Sequence, residues 1–359
     1  MAIYKKLEAK PAPSGTKGAG KWIKDNLFPS ITSSILTILS ILLLCYIIPP
    51  LLDWMIFDAT WSGTKEEITK DGARWIFIYE KFNQFIYGFY PEELYWRPNL
   101  ILILFVVSIV TFKMIKNIKV RAAIIILYPI ISFFLLYGGL GLDIVPTTKW
   151  GGLLLTIVVA AVGIVVSFPI GIIFALGRQS DMPIIKTISV IYIEFIRGVP
   201  LITLLFMASV ILPLFFPEDM SFDKLLRALI GITLFQAAYI AEVIRGGLQA
   251  IPKGQYEACD SIGLSYWQAM GLVILPQALK ISIPNIVGSF VALFKDTTLV
   301  LIIGLFDVLA MVTLTTTDPN WLGFATEGYV FVTIIYWIIC FSMSKYAQSV
   351  ENRFNTDHK

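Results

Sequence analysis

The sequence GGLLLTIVVAAVGIVVSFPIGIIFAL, at residues 151–176, contains no charged side chain. A helix that crosses a lipid bilayer needs roughly 20 mostly apolar residues, and its backbone polar groups must pair within the same segment because hydrocarbon offers no partner. The stretch therefore predicts a membrane-spanning helix. The whole chain agrees, since 57% of its 359 residues are apolar and 15% are charged, against about half and a quarter in soluble proteins.

Seven further stretches have the same apolar character, and the one at residues 31–52 carries no charge at all. Together they predict an all-α, polytopic integral membrane protein of about eight transmembrane helices. The second stretch is short and relies on Lys113 and Lys116 reaching the interface. The seven lie at residues 31–52, 99–115, 122–142, 187–216, 225–244, 281–305 and 328–343.

The placement of charged residues predicts the orientation of these helices. With the N-terminus in the cytoplasm, the inner segments hold 18 basic and 7 acidic residues, and the outer segments hold 8 basic and 15 acidic ones. Inner loops are expected to be the more basic. We therefore expect both termini in the cytoplasm and a long, folded outer loop at residues 53–98.

The sequence contains few residues that could bind a metal ion or a nucleotide. The three cysteines are scattered and the one histidine is His358, so we expect no metal site and no disulfide framework. Residues 15–21, GTKGAGK, have the spacing of a phosphate-binding loop. Trp22 follows where a hydroxyl is needed and no strand precedes the glycines, which favours a flexible basic tail. The small net charge of +3 indicates no nucleic-acid partner.

Small residues recur every four positions along residues 163–175, which predicts close packing against another helix. Five charged residues lie within or at the edge of apolar stretches, where a charge costs several kcal/mol unless it is paired or hydrated. The pair Glu194 and Arg197 has a structural interpretation, in which the two side chains pair and the true span starts near Val199. Glu242 also has a structural interpretation, because it lies one helical turn from Arg245. The five charges are Glu194, Arg197, Glu242, Lys295 and Asp296.

A polar segment at residues 246–280 lies between two apolar stretches and is too long for a tight connection. It predicts two short helices. The first covers residues 253–262 and ends at Gly263 in the left-handed conformation, and Ser265 caps a second that runs toward Leu275. Two helices at an angle suit docking into a groove of a partner. The anchors we expect are Tyr256, Ile262 and Trp267.

The same segment resembles the EAA loop of ABC importer permeases. The resemblance rests on Glu257 and Ala258, which four residues separate from Gly263, and on Leu275 and Pro276, which follow Gly263 after eleven further residues. Three other motifs resemble the polar amino acid branch of these permeases. They are WGGLLLT at residues 150–156, EFIRGVPL at residues 194–201 and KDTTL at residues 295–299.

The resemblance implies a five-helix type I permease core at residues 150–348, including the EAA loop at residues 246–280. Before it lie a basic tail, residues 1–30, and an extension with three spans, residues 31–149. A cytoplasmic tail, residues 349–359, follows. This layout is similar to the larger permeases of general L-amino acid importers.

The resemblance also implies partners. Such importers pair two permease subunits in the bacterial inner membrane with a cytoplasmic ATPase dimer, which holds ATP and Mg, and with a periplasmic amino-acid-binding protein. This chain would be one of the two permeases. This chain would carry no cofactor and would not be an enzyme. Its EAA loop would transmit ATPase closure to the spans and drive alternating access. The coupling residues would be Tyr256, Glu257, Ala258, Ile262, Gly263, Leu275 and Pro276.

A free amino acid brings an ammonium and a carboxylate, so a membrane site must offer an anion and hydrogen-bond donors. Asp296 fits the ammonium, and Thr297 and Thr298 supply hydroxyls. Lys295 pairs with the carboxylate or neutralises Asp296. A buried Lys295–Asp296 brace between helices is an equal alternative, and Gln236 and Tyr239 are secondary candidates.

Three other functions stay open at this point. An ion-coupled secondary transporter would need no ATPase, and the EAA-like loop disfavours it. A membrane enzyme is disfavoured because the spans contain no histidine and no nucleophile beside a base. A permease for another small polar solute remains within the same class.

Overall fold

The structure is a computed structural model that describes residues 18–61, 72–115, 117–217 and 222–355. Residues 15–17 of the phosphate-loop-like stretch, Lys116 and His358 lie outside the described residues. Within that range the α-helices are α1 Ala19–Leu27, α2 Ile31–Leu52, α3 Ile76–Tyr87, α4 Trp96–Met114, α5 Ile118–Tyr137, α6 Gly152–Gln179, α7 Pro183–Gly198, α8 Leu201–Phe206, α9 Lys224–Gln249, α10 Lys253–Ser261, α11 Tyr266–Ala269, α12 Leu275–Asp296, α13 Val308–Thr316 and α14 Ala325–Asn355.

The predicted fold class is confirmed. Over the described ranges, seven helices are long and apolar enough to cross a membrane, or eight if one bent helix pair counts as a span. Apart from helices and turns, these ranges contain isolated bridges but no extended strand. Part of the tail predicted to be flexible is helical, because α1 covers Ala19–Leu27.

The predicted span at residues 187–216 is wrong as a single helix. It consists of α7 and the segment that begins with α8, bent by 104° at the break between them. Val199 is extended, with φ −111° and ψ 133°. The cause is Pro200, which has no N–H to donate and disfavours helical backbone at the preceding residue. The alternative in which a new helix starts beside Val199 and Pro200 matches this geometry.

The predicted second loop helix is not a separate element, and the seventh span does not begin at residue 281. The helix that Ser265 caps passes through a π-helical turn, Met270–Ile274, directly into α12. A 3-10 segment, Thr297–Ile303, then follows, so Tyr266–Ile303 is one continuous span candidate of 38 residues. Pro276 does not interrupt it because it stands at the start of α12, where proline fits a helix.

The third predicted span, residues 122–142, is too long at its C-terminal end. Helix α5 ends at Tyr137 because Gly138, at φ 95°, leaves the helical region. Leu140 also has a positive φ of 53° in the turn that follows. Glycine adopts such backbone without strain, which makes Gly138 a helix stop.

Helix α9 lies at the centre of the core and packs against α6, α7 and α12. The small-residue face predicted on α6 is confirmed as a packing face, because Gly163 and Gly171 are buried against α9. A Cβ atom at Gly171 would lie 2.6 Å from the Ile240 Cγ2. Gly247 of α9 packs against α12 just as closely, since a Cβ atom added there would lie 2.5 Å from the Ala278 carbonyl oxygen.

The chain forms two compact units, Met1–Ile76 and Phe77–Lys359, so the division falls inside the predicted extension. In the first, the Trp75 indole donates a hydrogen bond to the Met55 carbonyl at 2.9 Å. In the second, Gly152 brings the start of α6 against α3, since a Cβ there would lie 2.3 Å from the Phe85 carbonyl oxygen. Gly152 of the WGGLLLT motif therefore has a packing role.

Candidate functional site

The elbow, residues 253–269, consists of α10, a tight turn and α11. Gly263 ends the first helix with φ +74°, as predicted. The turn closes through two backbone hydrogen bonds, from the Gly263 N–H to the Asp260 carbonyl at 3.0 Å and from the Leu264 N–H to the Cys259 carbonyl at 3.1 Å. These bonds satisfy carbonyls that a helix end would otherwise leave unpaired.

Ser265 begins the second arm of the elbow, also as predicted. A capping box joins it to Gln268, whose side-chain oxygen accepts a hydrogen bond from the Ser265 N–H at 3.0 Å. Such caps pair the free N–H groups of a first helical turn. Both arms are therefore fixed by local hydrogen bonds within a few residues of Gly263.

The inner side of the elbow packs into the core. Cys259 and Met270 are buried with Ile244 and Ile274 in one apolar cluster. Tyr256 is half-buried in the same cluster, and its hydroxyl faces the Leu248 carbonyl at 3.5 Å. Burial raises the pKa of the Tyr256 hydroxyl, which keeps this group neutral. The elbow is thus attached to α9 and the start of the seventh span.

The outer side of the elbow is exposed and partly apolar. Ile262 is 73% exposed and Trp267 is 71% exposed. Glu257 and Ala258 are exposed beside them, whereas Leu275 is half-buried and Pro276 is exposed. Exposed apolar groups rimmed by polar ones are typical of an interaction surface.

A charge network connects α6, α7 and α9. The Glu242 carboxylate accepts a hydrogen bond from the Arg245 Nε at 2.9 Å and lies 3.3 Å from an Arg178 nitrogen and 3.8 Å from an Arg197 nitrogen. Arg178 also pairs with Glu194 at 2.8 Å. The expected pairing of Glu194 with Arg197 is therefore wrong, because Glu194 pairs with Arg178 instead. Arg178 belongs to another helix, α6. In the sequence it is marked only by its position just after the apolar residues 151–176.

The predicted residues at the end of α12 differ in exposure. Lys295 is exposed, Asp296 is half-buried and Thr297 is fully buried. The Thr297 hydroxyl donates to the Phe294 carbonyl at 2.8 Å, and the Thr298 hydroxyl donates to the Lys295 carbonyl at 3.0 Å. Both hydroxyls are engaged by backbone of their own helix.

The other two predicted residues lie on α9. Gln236 is buried, and its side-chain nitrogen has no hydrogen-bond partner in the part of the chain that the structure describes. The Arg197 guanidinium lies 5.6 Å from the centre of the Tyr239 ring. Across the described residues, no hydrogen bond or ion pair joins Gln236 or Tyr239 to Asp296 and its neighbours. The predicted site residues therefore form two separate groups, one on α9 and one at the end of α12.

A buried polar cluster was missed in the sequence. The Tyr336 hydroxyl donates to the Asp307 carboxylate at 3.3 Å and lies 3.4 Å from the Thr297 hydroxyl. Asp307 caps α13 by accepting from the Ala310 N–H at 2.9 Å, and the Thr156 hydroxyl oxygen accepts from the Val308 N–H at 3.1 Å. Asp307 before an apolar run was a readable cap signal. Its contact with Tyr336 depends on the tertiary fold.

Comparison with known proteins identifies the family. The model of the family described as binding-protein-dependent transport system inner membrane component matches residues 167–356. The chain is 55% identical to the inner membrane amino-acid ABC transporter permease protein YhdY of Escherichia coli K12, over 97% of this chain and 96% of that protein. It is 38% identical to the glutamate/glutamine/aspartate/asparagine transport system permease protein BztC of Rhodobacter capsulatus, over 98% of both.

A solved structure agrees with these relatives. The crystal structure of an amino acid ABC transporter with histidines is similar at a TM-score of 0.50 and 29% identity, over 56% of this chain and 92% of that one. The resemblance to amino acid ABC importer permeases is confirmed by these matches. The chain belongs to the family of binding-protein-dependent transport system inner membrane components.

Proposed function

We propose that this chain is a permease subunit of an ATP-driven importer that moves L-amino acids into the bacterial cytoplasm by alternating access. The names of its two full-length relatives support the substrate class. The excess of basic residues in alternate loops supports an orientation with both termini and the elbow in the cytoplasm. Rigid-body motion of packed helix bundles is the expected form of the switch.

The proposed assembly needs partners that this chain does not supply. They are a second permease subunit, a cytoplasmic ATPase dimer that binds ATP and Mg, a periplasmic amino-acid-binding protein and the surrounding lipid. Free energy from ATP would reach the membrane only through a contact surface. The elbow is the surface that we assign to the ATPase. Glu257 and Ala258 lie on its first arm and Ile262 and Gly263 at its turn, while Tyr256 packs against the core and Leu275 and Pro276 begin the helix α12 that follows.

The elbow geometry is the observation that carries this proposal. Its inner side is anchored in the core through Cys259 and Met270, and its outer side exposes Ile262 and Trp267. An element that is rigid, attached to a membrane helix and apolar on its free side suits insertion into a groove of a partner. Movement of the partner would then displace α12 because α11 continues into it.

The test is Gly263→Val. A β-branched residue at φ +74° is strongly disfavoured, so the turn must open and the two arms must change their angle. We expect amino acid transported per ATP hydrolysed, measured in proteoliposomes of the complete transporter, to fall at least tenfold. ATP hydrolysis itself should continue.

Two variants control this test. Gly254→Val adds the same side chain to α10 at a helical position with open space around it, and should keep the transport ratio. Gly263→Asn should retain most coupling because asparagine tolerates the left-handed region. A normal ratio in Gly263→Val would contradict the assignment of the elbow.

We further propose that Asp296 faces the amino acid ammonium on the transport path, with Lys295, Thr297 and Thr298 around it. Gln236 and Tyr239 would line the path on α9. Support comes from the half-buried Asp296 carboxylate and from the unpaired side-chain nitrogen of Gln236. A carboxylate in a span is costly unless a cation or water accompanies it.

The corresponding test is Asp296→Asn. We expect uptake of labelled L-amino acids to fall by more than tenfold while co-purification with the ATPase stays at the wild-type level. The amide keeps the size of the side chain and removes its charge. Unchanged transport kinetics would show that the residue acts as a structural brace with Lys295.

A further inference from the structure

Helix α1 precedes the first span and has two chemically different faces. At 3.6 residues per turn, its apolar side chains cover one side and its three charged side chains cover the other. The apolar face consists of Ala19, Trp22, Ile23 and Leu27, and the charged face of Lys21, Lys24 and Asp25. Its 9 residues, about 14 Å in length, are too few to cross a bilayer. A helix of this composition is typical of those that lie at the interface between lipid and water.

The rest of the described chain does not cover the apolar face of α1. Trp22 is 61% exposed and Ile23 is 43% exposed, and no residue of this fully described helix is buried. Asn26 also falls on this side, and its side-chain nitrogen donates to the Trp22 carbonyl at 2.8 Å, which satisfies part of its polar character within the helix. An isolated helix this short is only marginally stable in water. The apolar face therefore needs a surface to bind.

The attachment of α1 to α2 sets its depth. The Thr37 hydroxyl donates a hydrogen bond to the Leu27 carbonyl at 2.6 Å. Because α2 starts at Ile31, the end of α1 lies beside a point about 9 Å along the axis of α2. The hydroxyl side chains at the start of α2 cluster in the same turns, at Thr32, Ser33, Ser34 and Thr37. These turns mark the polar edge of the bilayer, which is the level at which interfacial helices lie.

We propose that α1 is a lipid-binding anchor, which inserts its apolar face into the bilayer interface and places Lys21 and Lys24 on anionic phospholipid headgroups. The two lysines stand on the side away from the lipid tails, and their long side chains can reach the phosphates. Through the Thr37 hydrogen bond, the anchor would fix the depth at which α2 enters the membrane.

Three observations favour lipid as the occupant. Helix α1 is tied to a span whose apolar window has no residue buried within the described chain, so lipid is its nearest surface. Tryptophan is enriched at bilayer interfaces, because its ring is apolar and its N–H is polar. In the sequence, residues 1–17 add four lysines and one glutamate, a balance complementary to an anionic surface. The inference goes beyond the proposed function, since it concerns how the chain sits in lipid and not what it transports.

The first test measures hydrogen exchange of the α1 amides in the full-length protein in nanodiscs. One set contains phosphatidylcholine alone, and the other an equal mixture with the anionic phosphatidylglycerol. We expect at least threefold slower exchange in the mixture, because headgroup binding stabilises the helix. Lys21→Glu combined with Lys24→Glu should abolish the difference, whereas Lys21→Arg combined with Lys24→Arg should keep it. Trp22→Ser should speed exchange in both lipids.

The second test identifies the occupant directly. A photo-crosslinking residue in place of Ile23 should form a phospholipid adduct that mass spectrometry detects. The same residue in place of Asp25, on the charged face, is the matched control and should form at least threefold less of this adduct. The lysines are unaltered in both variants, so this result does not depend on the charge-reversal variant.

The outcomes decide the proposal whichever way the chain is oriented, because both leaflets of a nanodisc have the same lipids. Equal exchange of the wild type in the two lipids, or an unchanged difference in the glutamate variant, would overturn it. Capture of another subunit from the site of Ile23 would also overturn it, since a protein would then cover this face. Every substituted side chain is exposed, and an unchanged melting temperature would verify that the variants fold.

Discussion

Helices α2 and α9 are both apolar and of similar length, yet their surroundings are opposite. In the window from Ile31 to Phe57, which contains α2, no residue is buried within the chain, whereas 61% of the window in α9 is buried. The more apolar of the two is the one that the protein leaves uncovered. In a water-soluble protein the more apolar helix would be the more buried one.

This difference shows that lipid acts as the solvent for α2 and that protein does so for α9. Hydrocarbon accepts apolar side chains without a partner, so α2 needs no contacts to be stable. Helix α9 carries Gln236, Glu242 and Arg245, and polar groups at membrane depth require protein partners or water. The burial of α9 therefore follows from its polar residues as much as from its apolar ones.

The largest effect is expected where α9 meets its neighbours most closely. In Gly247→Val, the added Cβ would lie 2.5 Å from the Ala278 carbonyl oxygen and force α9 and α12 apart. Overpacking of this kind costs about 3 kcal/mol, because backbone cannot yield as a side chain can. A thermal shift of the detergent-solubilised protein should show a lowered melting temperature. An unchanged melting temperature would mean that α9 is less tightly enclosed than the structure indicates.

The next largest effect is expected in the charge network. Glu242→Gln leaves Arg178, Arg197 and Arg245 facing one another without their shared carboxylate. Removing one partner of a buried ion pair is strongly destabilising. We expect the free energy of unfolding to fall by about 2 kcal/mol. This is less than for a fully buried pair, because 21% of the Glu242 side chain is exposed.

Glu194→Gln is the matched control for the network. The Glu194 side chain is 55% exposed and contacts Arg178. Exposed ion pairs contribute about 0 to 1 kcal/mol, so this variant should unfold close to the wild-type temperature. Equal effects of the two substitutions would show that the network does not centre on Glu242.

The smallest effect is expected in α2. Ser40→Val adds the side chain used at Gly247, but at an exposed position of the helix. Surface substitutions away from packing and caps usually change stability by less than about 0.5 kcal/mol. A melting temperature lowered as much as in Gly247→Val would indicate that a partner covers this face, and the contrast between α2 and α9 would then fail.

The sequence predicted the spans well because lipid imposes length and apolar composition on each segment separately. It predicted the Gly263 turn and the Ser265 cap for a similar reason, since both depend on a few neighbouring residues. The continuity of Tyr266–Ile303 was missed because a polar surface on a helix resembles a loop in composition. The bend at Pro200 was readable from local rules but was obscured by the apolar residues on both sides.

The candidate sites were less accessible to sequence analysis. Arg178 reaches Glu194 and Glu242 across three helices, and no spacing along the chain encodes that meeting. The contact between Asp307 and Tyr336 has the same origin. Local patterns predict caps and turns, whereas pairings between distant helices depend on packing that only the fold shows.

The continuous helix from Tyr266 to Asp296 has a mechanical consequence. At 1.5 Å per residue it spans about 45 Å, with the elbow at one end and Asp296 at the other. A rigid rod of that length that tilts by about 10° around its middle displaces each tip by about 4 Å. In the proposed mechanism, a small tilt imposed where the ATPase docks would therefore move the Asp296 end of the helix by about the same 4 Å.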